Sequence, residues 1–252
     1  MSDPARAPVD AAVVAKVEAD LDPRFWAVFR AVTDGARAHG SPWPADLVPV
    51  APGAFRFPLL LPNAASRWLV EIEARRAPLR ARGLAEENPN SMHSHGVSFA
   101  ALGIDDCFAA LRRTWIAPLA RALLQPFAGN ALDTHHGYLV EYGRAFDEDL
   151  GFHVDDSEVT LNLCLGEDFD GSELMLLGLR CDTHRNGRIL RSEEVAIDHA
   201  PGWAVLHAGC LRHRVEPIRR GRRTNAILWC RDSTIARPPT RACGPWCPGA
   251  TT

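Results

Sequence analysis

A chain of 252 residues with 46% hydrophobic residues can bury a substantial core and has the size of one all-β barrel or sandwich domain. Its formal charge of −3 argues against a nucleic-acid partner and against an acidic interaction tail. No apolar run approaches a membrane span and residues 1–20 lack a hydrophobic signal core, so a cytoplasmic protein with no membrane partner is expected.

Residues 1–54 read as a helical N-terminal extension. Asp22 is placed to cap a helix whose first residue is Pro23, which has no N–H to leave unbonded there. Gly40 and the prolines that follow break the pattern. Residues 55–130 read as a helical support region. It begins with a short strand in "FRFPLLLP" (55–62) and a helix that Asn63 is expected to cap. An irregular polar loop at 81–97 comes next, then a long amphipathic helix at about 105–127. In that helix Leu111, Trp115, Leu119 and Leu123 recur at period four, and Pro118 is expected to bend or split it. His93 and His95 have no carboxylate partner close in sequence and read as loop residues, while His135 and His136 read as solvent-facing residues leading into a strand.

From residue 136 the texture changes to short alternating segments: "GYLVEY", "EVTLNLCLG", "SELMLLG", "EEVAID", "WAVLHAG", "HRVEPI" and "RTNAILWC". Strand-like runs joined by glycine-rich turns predict a sandwich or closed barrel, with flanking helices, over residues 131–235. Residues 236–252 form a proline-rich tail, expected to be an extended strap or a loose end. The seven cysteines are odd in number and scattered, which is no disulfide framework; Cys107, Cys164 and Cys230 sit among apolar neighbours and read as core. Cys243 and Cys247 have C-x3-C spacing without a βαβ context, so a redox or zinc role is the weaker reading for them.

The stretch "LGFHVDDSEVTLNLCLG" (150–166) carries the chemistry. His153 and Asp155 are two apart, so on a strand they point to one face, and Thr160, Asn162 and Cys164 alternate with Val159, Leu161, Leu163 and Leu165. Downstream, "WAVLHAGCLRHRVEPIRRGRRTNAILW" offers His207 and His213 as a second imidazole. Two histidines and one carboxylate make the facial set of a non-haem Fe(II) site, with coordination positions left for a bidentate 2-oxo acid and O2. Such a site needs a fixed cation for the far carboxylate of the acid, and Arg222 and Arg223 supply candidates at the start of the next strand. An H-x-D pair alone arises by chance; the added histidine, glycine turn and arginine make the metal site the favoured reading.

With these residues in view, the sequence resembles the prolyl/lysyl-hydroxylase-like 2-oxoglutarate and Fe(II)-dependent dioxygenases. It is most similar to the 2-oxoglutarate and iron-dependent oxygenase domain-containing protein 2 group. The resemblance runs from about 55 to 235 and rests on "NPNSMHSHGV", "GYLVEYGRAFDEDLGFHVDDSEVTLNLCLGEDFDGSEL" and "GWAVLHAGCLRHRVEPIRRGRRTNAILWCR". It implies an α+β, mainly β fold: a double-stranded β-helix, or cupin-like jelly roll, at 131–235 with helices along its outer sheet. It implies His153, Asp155 and His213 as iron ligands, with His207 in a supporting or packing role. It further implies Arg223, Tyr142 and Asn162 as contacts to 2-oxoglutarate, and no catalytic residue outside the metal triad. Alternation along the strand then turns Arg223 inward and leaves Arg222 exposed at a turn. "NPNSMHSHG" is expected to fold over the site as a substrate loop, with Asn90 and Met92 facing it.

The resemblance implies Fe(II), 2-oxoglutarate and O2 as reactants, with ascorbate keeping the iron reduced. Related halogenases lack the carboxylate ligand, so Asp155 favours hydroxylation. The expected substrate is an amino-acid or peptidyl side chain. A free small-molecule intermediate and a non-catalytic cupin-like metal-binding domain are the alternatives, and oligomeric state is left open.

Overall fold

The computed structural model describes residues 9–34, 42–82, 89–129, 131–235 and 241–248; the helix break expected at Gly40 and positions 83–88 of the polar loop lie outside them. Two antiparallel sheets form the core. The strands are β1 (Val48–Ala51), β2 (Ala54–Pro58), β3 (Gly96–Ser98), β4 (Thr134–Gly143), β5 (Leu150–His153), β6 (Val159–Gly166), β7 (Phe169–Gly171), β8 (Leu174–Leu179), β9 (Glu194–Ile197), β10 (Trp203–Ala208), β11 (Leu211–Val215) and β12 (Ile218–Arg231). The large sheet runs β1-β2-β10-β6-β12-β4-β3, with β7 pairing a second stretch of β12. The small sheet runs β5-β11-β8-β9. Strands β1, β2 and β3 all precede residue 131, so the large sheet draws in segments that the sequence assigns to the extension and support region.

Both faces of the large sheet are covered, and this explains the composition of its strands. Val159, Leu161, Leu163 and Leu165 of β6 join one apolar cluster with Leu139, Ala226, Leu228 and the helices. The opposite face of the sheet turns Tyr138, Val140, Tyr142, Ile227 and Trp229 toward Leu174, Leu176, Leu211 and Val215 of the small sheet. Thr160, Asn162 and Cys164 therefore lie between the two sheets, and all eight residues of β6 are buried. A strand with two buried faces has no wet side, so polar groups on it must find partners inside the protein.

The helices are α1 (Ala11–Asp20), α2 (Pro23–Thr33), α3 (Pro62–Ala81), α4 (Phe99–Leu102), α5 (Asp105–Leu111) and α6 (Ala117–Leu123). Asp22 caps α2, its carboxylate accepting from the Arg24 N–H at 2.8 Å, with Pro23 in the first turn. Asn63 does not cap α3. That helix starts at Pro62, whose fixed φ favours the first turn, and Leu61 precedes it with no side-chain cap. The helix expected at about 105–127 ends at Leu123 and is broken by a π turn, Arg112–Ile116. Pro118 sits in the first turn of α6, where its missing N–H costs no helical bond, and the wide turn ahead of it absorbs the mismatch. Among the described residues no helix is long and apolar enough to cross a membrane.

Candidate active site

His153 ends β5 and His213 lies opposite it on β11, so the ladder itself brings the two imidazoles together, with ring centroids 4.1 Å apart. Their Nδ1 atoms bond to the carbonyls of Gly151 at 2.7 Å and Leu211 at 2.9 Å. Carbonyls only accept, so each Nδ1 carries the proton and each Nε2 presents a lone pair. Those Nε2 atoms stand 3.8 and 3.7 Å from Asp155 Oδ1. The other carboxylate oxygen, Oδ2, accepts from the Thr160 hydroxyl at 2.6 Å, which fixes the plane of the group. Ligand atoms of His153, Asp155 and His213 all lie within 4.8 Å of one another. Three acceptors thus converge with no donor between them, which is the chemistry of a cation site; this donor set fits a divalent iron.

The loop between β5 and β6 is held at its far end by a close backbone approach. The Asp155 N–H donates to the Gly209 carbonyl at 2.9 Å, and the Gly209 N–H donates to the Glu158 carbonyl at 2.9 Å. A Cβ at position 209 would meet the Ser157 carbonyl at 1.9 Å, so only glycine fits the β10–β11 turn. His207 lies one strand away. Its Nδ1 faces the Ala208 carbonyl at 3.0 Å and its Nε2 is 3.8 Å from Asp155 Oδ2, outside the group of converging ligand atoms. Burial pushes His153 down to about 4, with the neighbouring His213 adding to the shift, so its imidazole is neutral at physiological pH.

A narrow pocket opens from this centre between the sheets, lined by Tyr142, Asn162 and Arg223 along with apolar Val140, Leu174, Val215 and Ile227. Arg223 and Tyr142 are register partners on β12 and β4, and the guanidinium lies 4.5 Å from the centroid of the tyrosine ring. Arg223 is 1% exposed. One of its terminal nitrogens donates to the Ser172 carbonyl, and its Nε has no partner. Ser172 holds a left-handed backbone, φ 62°, a conformation that a non-glycine residue adopts only at a cost. Asn162 Oδ1 accepts from Asn225 Nδ2 at 2.5 Å. Asn225 in turn approaches His199 Nδ1 at 3.4 Å, a residue just beyond β9 that the sequence reading did not single out.

Residues 17–129 match the family described as "OGFOD2-like domain". Over that span the chain carries an OGFOD2-like domain, and its curated relatives are 2-oxoglutarate and iron-dependent oxygenase domain-containing proteins. It is 40% identical over 207 residues to 2-oxoglutarate and iron-dependent oxygenase domain-containing protein ICU11 of Arabidopsis thaliana, covering 81% of this chain and 52% of that one. It is 31% identical over 220 residues to 2-oxoglutarate and iron-dependent oxygenase domain-containing protein 2 of Mus musculus, covering 86% of this chain and 60% of that one. The chain thus spans about half the length of the curated relatives it matches. Among solved structures, a Pseudomonas putida prolyl-4-hydroxylase superposes with TM-score 0.52 at 14% identity, over 81% of this chain and all of the other. That likeness shows the fold, the double-stranded β-helix of 2-oxoglutarate oxygenases.

Several side chains in the oxygenase domain depart from the sequence expectations. His93 is no plain loop residue. It is 5% exposed and lines the pocket, its Nε2 3.4 Å from the Tyr142 hydroxyl, and burial pushes it down to about 4. Asn90 sets that placement: its Oδ1 accepts from the N–H groups of Met92 at 2.9 Å and His93 at 3.0 Å. The turn capped by the Asn90 side-chain carbonyl is thus the signal for a buried histidine three residues on. His95 does have a carboxylate, Asp147, at 3.1 Å, supplied by the β4–β5 loop rather than by nearby sequence. His135 and His136 do not face solvent: His135 meets Asp105 at 3.1 Å, and His136 meets the Pro89 carbonyl at 2.9 Å. Arg222 is not an exposed turn residue either. Its side chain is 25% exposed and donates to Glu141, a carboxylate that is fully buried and also held by Arg76 at 2.7 Å.

Proposed function

We propose that this chain is an Fe(II)- and 2-oxoglutarate-dependent dioxygenase that hydroxylates an amino-acid or peptidyl side chain. The observation that carries the reading is the convergence of the His153, Asp155 and His213 acceptor atoms in one pocket with a buried arginine that has no carboxylate partner there. Bound Fe(II) supplies the redox chemistry in which O2 converts 2-oxoglutarate to succinate and CO2, one oxygen atom entering succinate and the other a substrate C–H bond.

The protein's own groups do the rest. The Arg223 guanidinium receives the far carboxylate of 2-oxoglutarate as a charge-assisted pair. The Tyr142 hydroxyl and the Asn162 carboxamide flank that carboxylate and the chain behind it. Val140, Leu174, Val215 and Ile227 keep water from the methylene groups between the two ends of the acid. Asp155 keeps one ligand position anionic, which favours hydroxylation over halide transfer, and Thr160 keeps its carboxylate from rotating away. Ascorbate serves in this reading as the reductant that returns iron to Fe(II).

The test is incubation with Fe(II), 2-oxoglutarate, O2 and ascorbate, first without and then with an array of peptides and free amino acids. Slow succinate release is expected alone, and faster release coupled to a gain of one oxygen atom on one class of substrate. No succinate from a preparation that binds both Fe(II) and 2-oxoglutarate would leave only a metal-binding role. Coupled turnover on a free metabolite but on no peptide would replace the substrate class.

A further inference from the structure

Residues 241–248 return to the small sheet instead of trailing away, contrary to a loose end. The Arg241 N–H donates to Asp182 Oδ2 at 2.8 Å and Trp246 packs edge-on against Phe127 with centroids 5.2 Å apart. This docking lays "CGPWC" against the turn that follows β8, where Cys181 precedes a single 3-10 turn, Asp182–His184. Cys247 is buried there, 1% exposed, and its Sγ accepts from the Cys181 N–H at 3.5 Å. His184 Nδ1 stands 3.1 Å from Cys181 Sγ, 3.6 Å from Cys243 Sγ and 3.6 Å from Cys247 Sγ. All four ligand atoms lie within 4.8 Å of one another, and no disulfide joins the cysteines.

We propose that Cys181, His184, Cys243 and Cys247 form a structural zinc site, separate from the iron triad. A tetrahedral zinc with Zn–S of about 2.3 Å and Zn–N of about 2.0 Å separates its nitrogen and sulfur ligands by roughly 3.5 Å and its sulfurs by roughly 3.8 Å. The three N···S distances, 3.1 to 3.6 Å, bracket that figure. The sequence supplies the ligands as two short clasps, C-x2-H at 181–184 and C-x3-C at 243–247, brought together by the fold although 59 positions separate His184 from Cys243. Three thiols release their protons on binding and a neutral imidazole supplies the fourth ligand, so a zinc complex here carries one net negative charge. The Cys181 N–H directed at Cys247 Sγ offsets part of it. Four protein ligands leave no open position, which makes the site structural rather than catalytic. A Cys243–Cys247 disulfide leaves Cys181 and His184 unexplained, whereas a metal uses all four. The ion fixes a tail whose Arg241 guanidinium donates to the Ser157 carbonyl, two residues from the iron ligand Asp155.

Two measurements on the full chain decide this. Cobalt substitution of the wild-type protein is expected to produce intense tetrahedral d–d bands together with thiolate-to-cobalt charge-transfer absorption, and cobalt held by His153, Asp155 and His213 lacks the charge transfer because that set has no sulfur. In a His153→Ala/Asp155→Ala background, protein from zinc-supplemented cells should carry about one zinc per chain, and adding Cys243→Ser/Cys247→Ser should remove it. The proposal fails if the cobalt protein shows no thiolate charge transfer. It fails equally if zinc survives the double serine change, or if protein purified without oxidant contains a Cys243–Cys247 disulfide.

Discussion

Arg222 and Arg223 are neighbours on β12 with the same side chain, yet they sit in opposite electrostatic situations. Arg222 points to the helix side of the large sheet, where Glu141, Glu73 and Glu167 lie within 3.4 Å and Phe146 packs on its guanidinium plane. Arg223 points between the sheets, where a backbone carbonyl and a tyrosine ring are its neighbours and it lines the same pocket as the metal centre. Burial works to raise the Glu141 carboxyl, but Arg76 and Arg222 together hold it below the ordinary carboxylate range. Arg223 has the reverse balance: burial lowers it, and Tyr142, Cys164 and Glu173 offset that only in part. The difference teaches how to tell two kinds of buried charge apart. A charge whose partners are all present belongs to the fold, and a charge buried without its counter-ion is kept for something that arrives later.

The largest expected effect tests the most extreme case, three acceptors with nothing between them. Asp155→Ala and His213→Ala should each abolish stoichiometric Fe(II) binding, while His207→Ala should retain it, as read by metal analysis after anaerobic loading. Retention by His213→Ala together with loss by His207→Ala would reassign the distal ligand. Next, Arg223→Met should weaken 2-oxoglutarate binding by roughly a hundredfold or more, because the incoming carboxylate loses a charged partner in a largely dry pocket. Its thermal stability should not fall, since the substitution removes a buried charge that has no counter-ion. A large loss of stability with unchanged 2-oxoglutarate affinity would show that Arg223 belongs with Arg222.

Arg222→Met should do the opposite. Discounted for the partial exposure of the guanidinium, a loss of about 1–2 kcal/mol in urea unfolding is expected, with 2-oxoglutarate affinity within about twofold of wild type. The pH dependence gives the sign. A carboxylate depressed in the folded state stabilises the protein above its unfolded pKa, about 4.3 for glutamate, and that stability is lost as pH falls through the folded value. The wild type should therefore lose more stability between about pH 5 and 3 than Arg222→Met does, and parallel pH curves would remove Glu141 as the source. Among the contacts to 2-oxoglutarate, the neutral groups should each matter less than Arg223. Asn162→Ala and Tyr142→Phe should weaken 2-oxoglutarate by about 1.5–3 kcal/mol, with iron still bound. Asn162→Ala should also cost some stability, because it takes away the 2.5 Å partner of Asn225.

The legible parts of the molecule are those encoded by short spacing. His153 and Asp155 share a face because a strand alternates, and the β10–β11 turn at Gly209 carries His213 back to the same place. Which of His207 and His213 completes the set was not settled by spacing alone, since both lie on strands that reach the centre; the family resemblance selected His213. What stayed hidden depends on partners far apart in the chain. Nothing near Arg222 in sequence announces Arg76 or Glu73, which come from α3. His93 reaches the pocket only because β3 pairs with β4 and carries the preceding loop over Tyr142. The tail cysteines looked idle because Cys181 and His184 are sixty residues upstream of them.

Strand β6 has β10 along one edge and β12 along the other, and every one of its residues is buried. Its amide protons are therefore among the last to be reached by solvent, since no local opening of a free edge or a wet face exposes them. In deuterium, Thr160 to Cys164 should exchange only through global unfolding, while amides of the 89–95 loop exchange through small local openings. The floor that holds Asn162 and orients Asp155 then acts as a rigid anvil. Whatever motion admits and releases small acids has to come from the cover on the other side.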